Sequence, residues 1–440
     1  MGKMLFGILP VIAFAVVMPS DTPGQTAIVQ GEWVSAWSTA VQESRSVPSA
    51  PAIESFDNQT IRMVIRPTIS GHRLRVRFSN ELSSSPLSIG SAHVALLKAD
   101  GVIVPESDRA LSFAGATSVD VPGGAPILSD PIDIDISAFG ELAISVYLPK
   151  ATKPTTYHAV GQHDTYISGP GDFTKAERFE DSLTTRSWYF LSGLELWETV
   201  GTAAIVTFGD SITDGFGAKA QYGDWPNQLA ERLASEKGAI PLGVSNEGIG
   251  GNRILHDGLG VAALSRFDRD VLSQPGVVDL IVLEGINDIG WPNMKPRRLA
   301  DGTTRPNRWA EERVSADDLI RGFKQLIDRA HEHGIRVFGG TMTPYGGNAN
   351  TFTDEGEAVR QAVNKWIRTS GAFDGVFDFD AAVRDPDHPE RFRDDLQTGD
   401  YLHPNASGYK AMASVIDLPL LRGGIESKAK YAKSTVTSRK

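Results

Sequence analysis

The 440-residue chain has no cysteine. Disulfides, a thiol nucleophile, thiolate metal sites and a cysteine-linked lipid anchor are thereby excluded. Positive charge is also scarce. Lysine and arginine number 43 against 54 aspartates and glutamates, a net charge of −11. So acidic a surface does not suit the phosphate backbone of nucleic acids, and nucleic acid is not expected as a partner. No Walker-type Gly-x-x-x-x-Gly-Lys occurs, which disfavours phosphoryl transfer. The longest apolar run, Leu5–Met18, is shorter than the roughly 20 residues of a membrane-spanning helix. What is present is ordinary for a globular protein: 41% hydrophobic and 22% charged residues. At ~100–200 residues per domain, two or three domains are expected, long enough to build buried cores.

The N-terminus reads as an address. Lys3, the apolar run Leu5–Met18 interrupted by Pro10, and the polar stretch Ser20–Gln25 follow the order of a secretory signal peptide. Residues 1–27 are expected to be removed, with cleavage near Ala27, leaving a secreted or periplasmic protein with no stable membrane insertion. The alternative is an uncleaved single anchor. Removal takes away Lys3 and Asp21 together, so the net charge stays at −11.

Two periodicities divide the remainder. Over residues 28–199 the alternation has period two. Leu74, Val76 and Phe78 alternate with Arg73, Arg75 and Arg77; Ile132, Ile134 and Ile136 alternate with Asp133 and Asp135; Leu142, Ile144, Val146 and Leu148 share a face. Each pattern places one face on a core and one in water. Turn signals such as Ser70-Gly71 and Pro122-Gly123-Gly124 separate the runs, which predicts an all-β sandwich or jelly-roll-like domain. Over residues 200–422 the pattern changes to α/β. Apolar runs at Ala203–Phe208, Leu242–Ser245, Val278–Leu283, Val337–Thr341 and Val376–Phe379 read as buried parallel strands. Helical spacing fills Tyr222–Glu236 and Ala316–His333 between them. Residues 423–440 read as a mobile basic tail. In parallel sheets of this kind, ligands bind beyond the carboxyl ends of the strands.

Chemistry-bearing residues fall just there. The first run leads into Gly209-Asp210-Ser211, where a serine at a strand-to-loop junction is placed for nucleophilic attack. Taken alone, Ser211 reads equally as a helix N-cap. The second run leads into Asn246-Glu247-Gly248-Ile249-Gly250-Gly251, whose glycines allow close backbone approach and an exposed N–H, or simply an ordinary turn. The third leads into Gly285-Ile286-Asn287-Asp288, where Asn287 supplies a neutral amide donor or a cap. Asp400-Tyr401-Leu402-His403-Pro404 precedes a predicted helix over Asn405–Val415; His403 can serve Ser211 as base with Asp400 fixing its tautomer. Asp385-Pro386-Asp387-His388-Pro389 repeats the string but lacks a following helix signal, and is read as loop.

These four blocks, in this order and each beyond a predicted strand or in the terminal loop, resemble the SGNH, or GDSL, hydrolase family over roughly Ala203–Asp417. The β-region also looks like the accessory domain found before some bacterial members. The resemblance implies a flavodoxin-like three-layer α/β/α fold. It implies Ser211 as nucleophile, His403 as base and Asp400 as its partner. The oxyanion donors would be the N–H groups of Ser211 and Gly251 and the side chain of Asn287; Gly250 is the neighbouring alternative to Gly251. No cofactor and no metal are implied. The expected activity is a serine carboxylic-ester hydrolase acting on short-chain acyl or aryl esters. Alternatives are a polysaccharide O-acetyl esterase, or a carbohydrate-binding protein with a vestigial hydrolase domain. The partner is therefore a small-molecule ester or an acylated carbohydrate. Trp33, Trp37 and Tyr157 are either sugar-stacking aromatics or core, with core preferred. The long segment Trp291–Arg313 either lines the pocket or packs itself down.

Overall fold

The computed structural model describes residues 31–43, 53–161, 163–199, 201–218, 221–299 and 301–424. The expected signal peptide (1–27) and nearly all of the basic tail lie outside them. Among the described residues, no helix is long and apolar enough to cross a membrane.

The N-terminal half is built from antiparallel strands. One sheet orders Gly31–Ser38, Leu191–Thr199, Gly71–Ser79 and Pro126–Leu128, with Ile132–Ile136 also on Gly71–Ser79. Another is centred on Gln59–Ile65, Leu142–Leu148 and Ser91–Ala99. The alternating residues do what their period demands: Leu74, Val76 and Phe78 join Ile61, Met63, Ile65, Ile144 and Val146 in one apolar cluster shared by both sheets. The opposite face differs from expectation. Arg75 and Arg77 do not simply face water; both pair at 2.6 Å with buried Glu195 of the neighbouring strand, and Arg77 reaches Ser273 of the C-terminal half. Arg73, at the start of the same strand, stays half exposed beside Asp133. Trp37 and Tyr157 are core residues, and Trp33 lies under the Arg75 guanidinium and against Trp197.

In the C-terminal half the five apolar runs form one parallel sheet in the order Leu242–Gly248, Ala203–Gly209, Val277–Leu283, Arg336–Gly340, Gly375–Phe377. In sequence order this is 2-1-3-4-5, so the direction of the connections reverses at Ala203–Gly209, the kind of place beyond whose strand ends parallel sheets bind ligands. The helices are α1 (Ser211–Asp214), α2 (Trp225–Ser235), α3 (Ala263–Phe267), α4 (Ile286–Gly290), α5 (Ala316–Glu332), α6 (Asp354–Thr369), α7 (Phe379–Val383) and α8 (Ala406–Ser414). Their starts follow local chemistry. Asp224, Thr353 and Asn405 cap α2, α6 and α8, and Ser315 with Asp318 forms a capping box on α5. Alternate residues of the Ala203–Gly209 strand enter two separate clusters. Ala203 and Ile205 pack with Trp225, Leu229, Tyr409 and Met412; Val206 and Phe208 pack with Phe267, Phe323, Leu326 and Ile367.

The outer strand Leu242–Gly248 would present unpaired backbone groups at its free side. The N-terminal half covers it. Thr68 Oγ1 accepts the Val244 N–H at 2.8 Å, Ser35 and Ser245 hydroxyls meet at 2.8 Å, and Thr39 bridges Asn246 in parallel. The two halves are thus joined along the strand that leads into the Gly250-Gly251 turn.

Candidate active site

Ser211 is the first residue of α1, directly beyond the Ala203–Gly209 strand. It is not the cap of that helix. Asp210 is, through Oδ1, which accepts the Ile212 N–H at 2.9 Å. Ser211 Oγ lies 2.8 Å from His403 Nε2, across 192 residues of chain. His403 Nδ1 lies 2.6 Å from Asp400 Oδ2. Asp400 Oδ1 accepts the backbone N–H groups of Leu402 and His403, both at 2.9 Å, and the Asp400 carbonyl accepts from Asn348 Nδ2 at 2.9 Å. These bonds hold Tyr401, between the acid and the imidazole, in the left-handed region at φ 58°. For a non-glycine residue that conformation costs about 1–2 kcal/mol. A carboxylate only accepts, so the proton sits on Nδ1 and the Nε2 lone pair faces the serine hydroxyl. Burial works against the Asp400 charge, yet the His403 hydrogen bond and charge outweigh it and hold this carboxyl well below its usual range.

Asn287 sits in the first turn of α4, whose N-cap Gly285 takes φ 109°. Its Nδ2 donates to the Asn252 carbonyl at 3.0 Å and lies 3.5 Å from Asp210 Oδ2. The next residue, Asp288, accepts the N–H groups of Ile254 and Leu255 at 2.7 and 3.0 Å. One short helix therefore pins the segment that follows Gly251. Gly251 itself has φ 72°. The N–H of Gly250 is already given to Asp214 Oδ2 at 3.0 Å. Among the described residues neither the Gly251 N–H nor the Ser211 N–H has an acceptor, so of the two glycines Gly251 holds the unused donor. Trp291 packs on Gly251 and Gly258 and lies 4.5 Å, ring to ring, from Trp309; the long loop is packed down against this turn.

The second Asp-x-x-His string stands apart from this arrangement. His388 is well exposed with Glu390 as its ionic neighbour at 3.9 Å, and Asp385 Oδ1 closes its own loop by accepting from Asp387 and His388.

Two participants escaped sequence reasoning. Phe216 is 49% exposed, with its ring centroid 4.5 Å from that of His403. An aromatic residue between Gly215 and Gly217, so close after the serine, was the available signal. Arg266 gave none, since an arginine in a short helix reads as surface. It is fully buried beneath the strand ends, donating to the carbonyls of Gly209 and Glu247, to Asn252 Oδ1 and to Asp270, with Phe208 under its guanidinium at 3.9 Å. Around it burial raises carboxyl pKa values: Asp210 to about 7, Asp288 to about 6, and Glu247 and Glu284 upward. Among the described residues no group of three or more His, Asp or Glu side chains is arranged to hold a metal ion.

The stretch that contains every one of these turns, residues 207–411, matches the family model for GDSL-like lipase/acylhydrolases. It is a GDSL-like lipase/acylhydrolase domain. The chain thus carries an ester-hydrolase domain behind its antiparallel N-terminal half. Solved structures similar to this chain include three that differ in source. One is a member of the lipolytic protein G-D-S-L family from Veillonella parvula DSM 2008 (19% identity, 48% of this chain and 95% of that one, TM-score 0.33). Another is a catalytic mutant of an acetylxylan esterase from Geobacillus stearothermophilus (19%, 48% and 91%, TM-score 0.35). A third is an alpha/beta hydrolase enzyme from the metagenome of Lake Arreo, Spain (19%, 51% and 96%, TM-score 0.36). No curated protein matches the chain.

Proposed function

We propose that the protein is a serine carboxylic-ester hydrolase that cleaves short-chain acyl or aryl esters through an acyl-enzyme. The observation that carries this reading is the unbroken chain Ser211 Oγ–His403 Nε2, His403 Nδ1–Asp400 Oδ2 at 2.8 and 2.6 Å. Ser211 Oγ attacks the ester carbonyl while its proton passes to His403 Nε2. Asp400 stabilises the resulting imidazolium. The tetrahedral oxyanion is held by the N–H groups of Ser211 and Gly251 and by Asn287. The ester C–O bond then breaks, and His403 returns the proton to the departing alcohol. Water attacks the acyl-serine with its proton going to His403, and the acid leaves as that proton returns to Ser211 Oγ.

An acylated carbohydrate is the second reading of the substrate. It is supported by the exposed Phe216 ring beside His403, an apolar face on which an aryl group or a sugar ring can stack. The reading extends to the whole chain. The two apolar clusters on alternate strand residues support a flavodoxin-like three-layer α/β/α domain over 200–422. The cluster shared by two antiparallel sheets supports a sandwich-like domain over 28–199. Lys3 with the run Leu5–Met18 supports a signal peptide over 1–27, a secreted or periplasmic location and no stable membrane insertion once it is removed.

The test is a panel of p-nitrophenyl esters of increasing acyl length beside acetylated polysaccharides, with Ser211→Ala as control. Ser211→Ala should lower turnover by at least about 10³-fold while the protein stays folded. Retained turnover removes Ser211 as nucleophile.

A further inference from the structure

One buried contact, unused in the chemistry above, crosses from the N-terminal half into the GDSL-like domain. His158 ends the Thr156–His158 strand and is fully enclosed, with the Trp188 ring 5.4 Å from its own. Its Nδ1 lies 2.8 Å from the Ala40 carbonyl and its Nε2 lies 3.1 Å from Asp214 Oδ1. Both partners only accept, so both ring nitrogens carry hydrogen and the ring is an imidazolium. Burial opposes that charge, but Asp214 and the carbonyls of Ala40 and Val160 outweigh it and raise the His158 pKa.

Asp214 has a second engagement. It is the last residue of α1, the helix that begins with Ser211, and its Oδ2 accepts the Gly250 N–H at 3.0 Å. The contact between α1 and this turn is close throughout: a Cβ on Gly248 would lie 2.2 Å from the Asp214 nitrogen, and Asn246 Nδ2 donates to the Thr213 carbonyl at 2.8 Å. His158 Nε2, the Asp214 carboxylate and the Gly250 N–H therefore form a relay of two hydrogen bonds that ends one peptide before Gly251. Ala40, the other anchor of His158, follows Thr39, which bridges the strand leading into the same turn.

We propose that His158 is a positioning residue supplied by the N-terminal half. It holds Asp214 in the orientation that fixes the Gly250 peptide, and thereby aims the Gly251 N–H at the oxyanion. This rests on the serine-hydrolase reading above. Asp214 is a buried carboxylate with a rotatable Cα–Cβ bond; a cation at one oxygen leaves the other pointing at the turn. Without His158 that carboxylate turns to other donors and the Gly250 peptide loses its fixed acceptor. The N-terminal half is then part of the catalytic architecture.

The test uses the full chain with p-nitrophenyl acetate, comparing His158→Ala, His158→Asn and His158→Gln with the unaltered protein and with Ser211→Ala. Glutamine reaches the place of Nε2 and can donate to Asp214. Asparagine reaches only the place of Nδ1. A displaced donor should cost less than a removed one, so His158→Ala and His158→Asn should lose roughly 10–100-fold in kcat with KM changed by less than about twofold. His158→Gln should recover at least about tenfold of that loss. If His158→Ala does not fold, the Asn and Gln pair decides. A folded Ala or Asn variant with kcat close to that of the unaltered protein overturns the proposal, as does Gln performing no better than Asn. Those results beside an inactive Ser211→Ala leave the hydrolase reading intact, whereas an active Ser211→Ala overturns both.

Discussion

Replacing each of the two adjacent glycines with alanine separates the proposed oxyanion donor, Gly251, from its neighbour. Gly251 has φ 72°, and a Cβ there would lie 2.6 Å from a ring carbon of Trp291 and 3.0 Å from Leu259 Cδ1. Trp291 is itself clamped by Trp309, so the ring does not yield freely. The left-handed backbone costs an alanine about 1–2 kcal/mol, and the overlap adds roughly 1–3 kcal/mol. The chain relieves both by rotating the peptide, which turns the Gly251 N–H away. Turnover of p-nitrophenyl acetate should then fall by roughly 10²–10³, the usual cost of one oxyanion donor. Melting temperature should fall by roughly 4–20 °C, at ~2–4 °C per kcal/mol. Gly250→Ala meets nothing nearer than Asp214 Oδ2 at 3.6 Å and has no positive φ, and its N–H remains on Asp214. It should keep kcat within about threefold, well inside the loss expected for a missing donor. The assay is kcat and KM for both variants, with thermal melts to confirm folding. If Gly250→Ala proves the more damaging to kcat, the donor is the wrong glycine and the geometry of the turn has been misread.

Two further outcomes follow from the site and its surroundings. His403→Ala should abolish esterase turnover while His388→Ala leaves it unchanged, because only His403 lies within hydrogen-bond distance of Ser211; p-nitrophenyl ester kinetics read this, and the reverse pattern would select the other loop. Stability should drain away as pH rises from about 4 to 7, the interval between the unfolded and folded pKa of Asp210. Burial lifts that carboxyl from 3.8 to about 7, so the folded protein keeps a proton that the unfolded chain has already lost. Asp210→Asn still accepts the Ile212 N–H but cannot ionise, and its melting temperature should decline less steeply between pH 5 and pH 8; parallel slopes would show that Asp210 does not titrate in this way.

Much of this molecule was legible in the linear chain because the signals are local. A period of two set Leu74, Val76 and Phe78 on one face; apolar runs placed the five parallel strands; helical spacing placed Tyr222–Glu236 and Ala316–His333, where α2 and α5 lie. Gly-Asp-Ser, the glycine turn, Gly-x-Asn and Asp-x-x-His each fall just beyond an apolar run or before a capped helix. Their order in the chain was therefore enough to point at one end of the sheet, where parallel strands must all finish.

What only the tertiary arrangement decided are contacts between segments with no local signature. Arg75 and Arg77 alternate as a solvent face should, yet both are drawn onto buried Glu195 of the neighbouring strand, and Arg77 also reaches Ser273 of the C-terminal half. Ser211 reads as an N-cap in the linear chain, but Asp210 takes that place, because its side chain turns back onto the Ile212 N–H. Gly250 and Gly251 are the same residue type side by side; they differ because Asp214 takes one N–H and leaves the other. Arg266 and His158 are polar residues at positions a reader would assign to the surface. Their burial follows from carbonyls and carboxylates contributed by strands and turns up to 118 residues away, a coincidence in space that no spacing in the chain encodes.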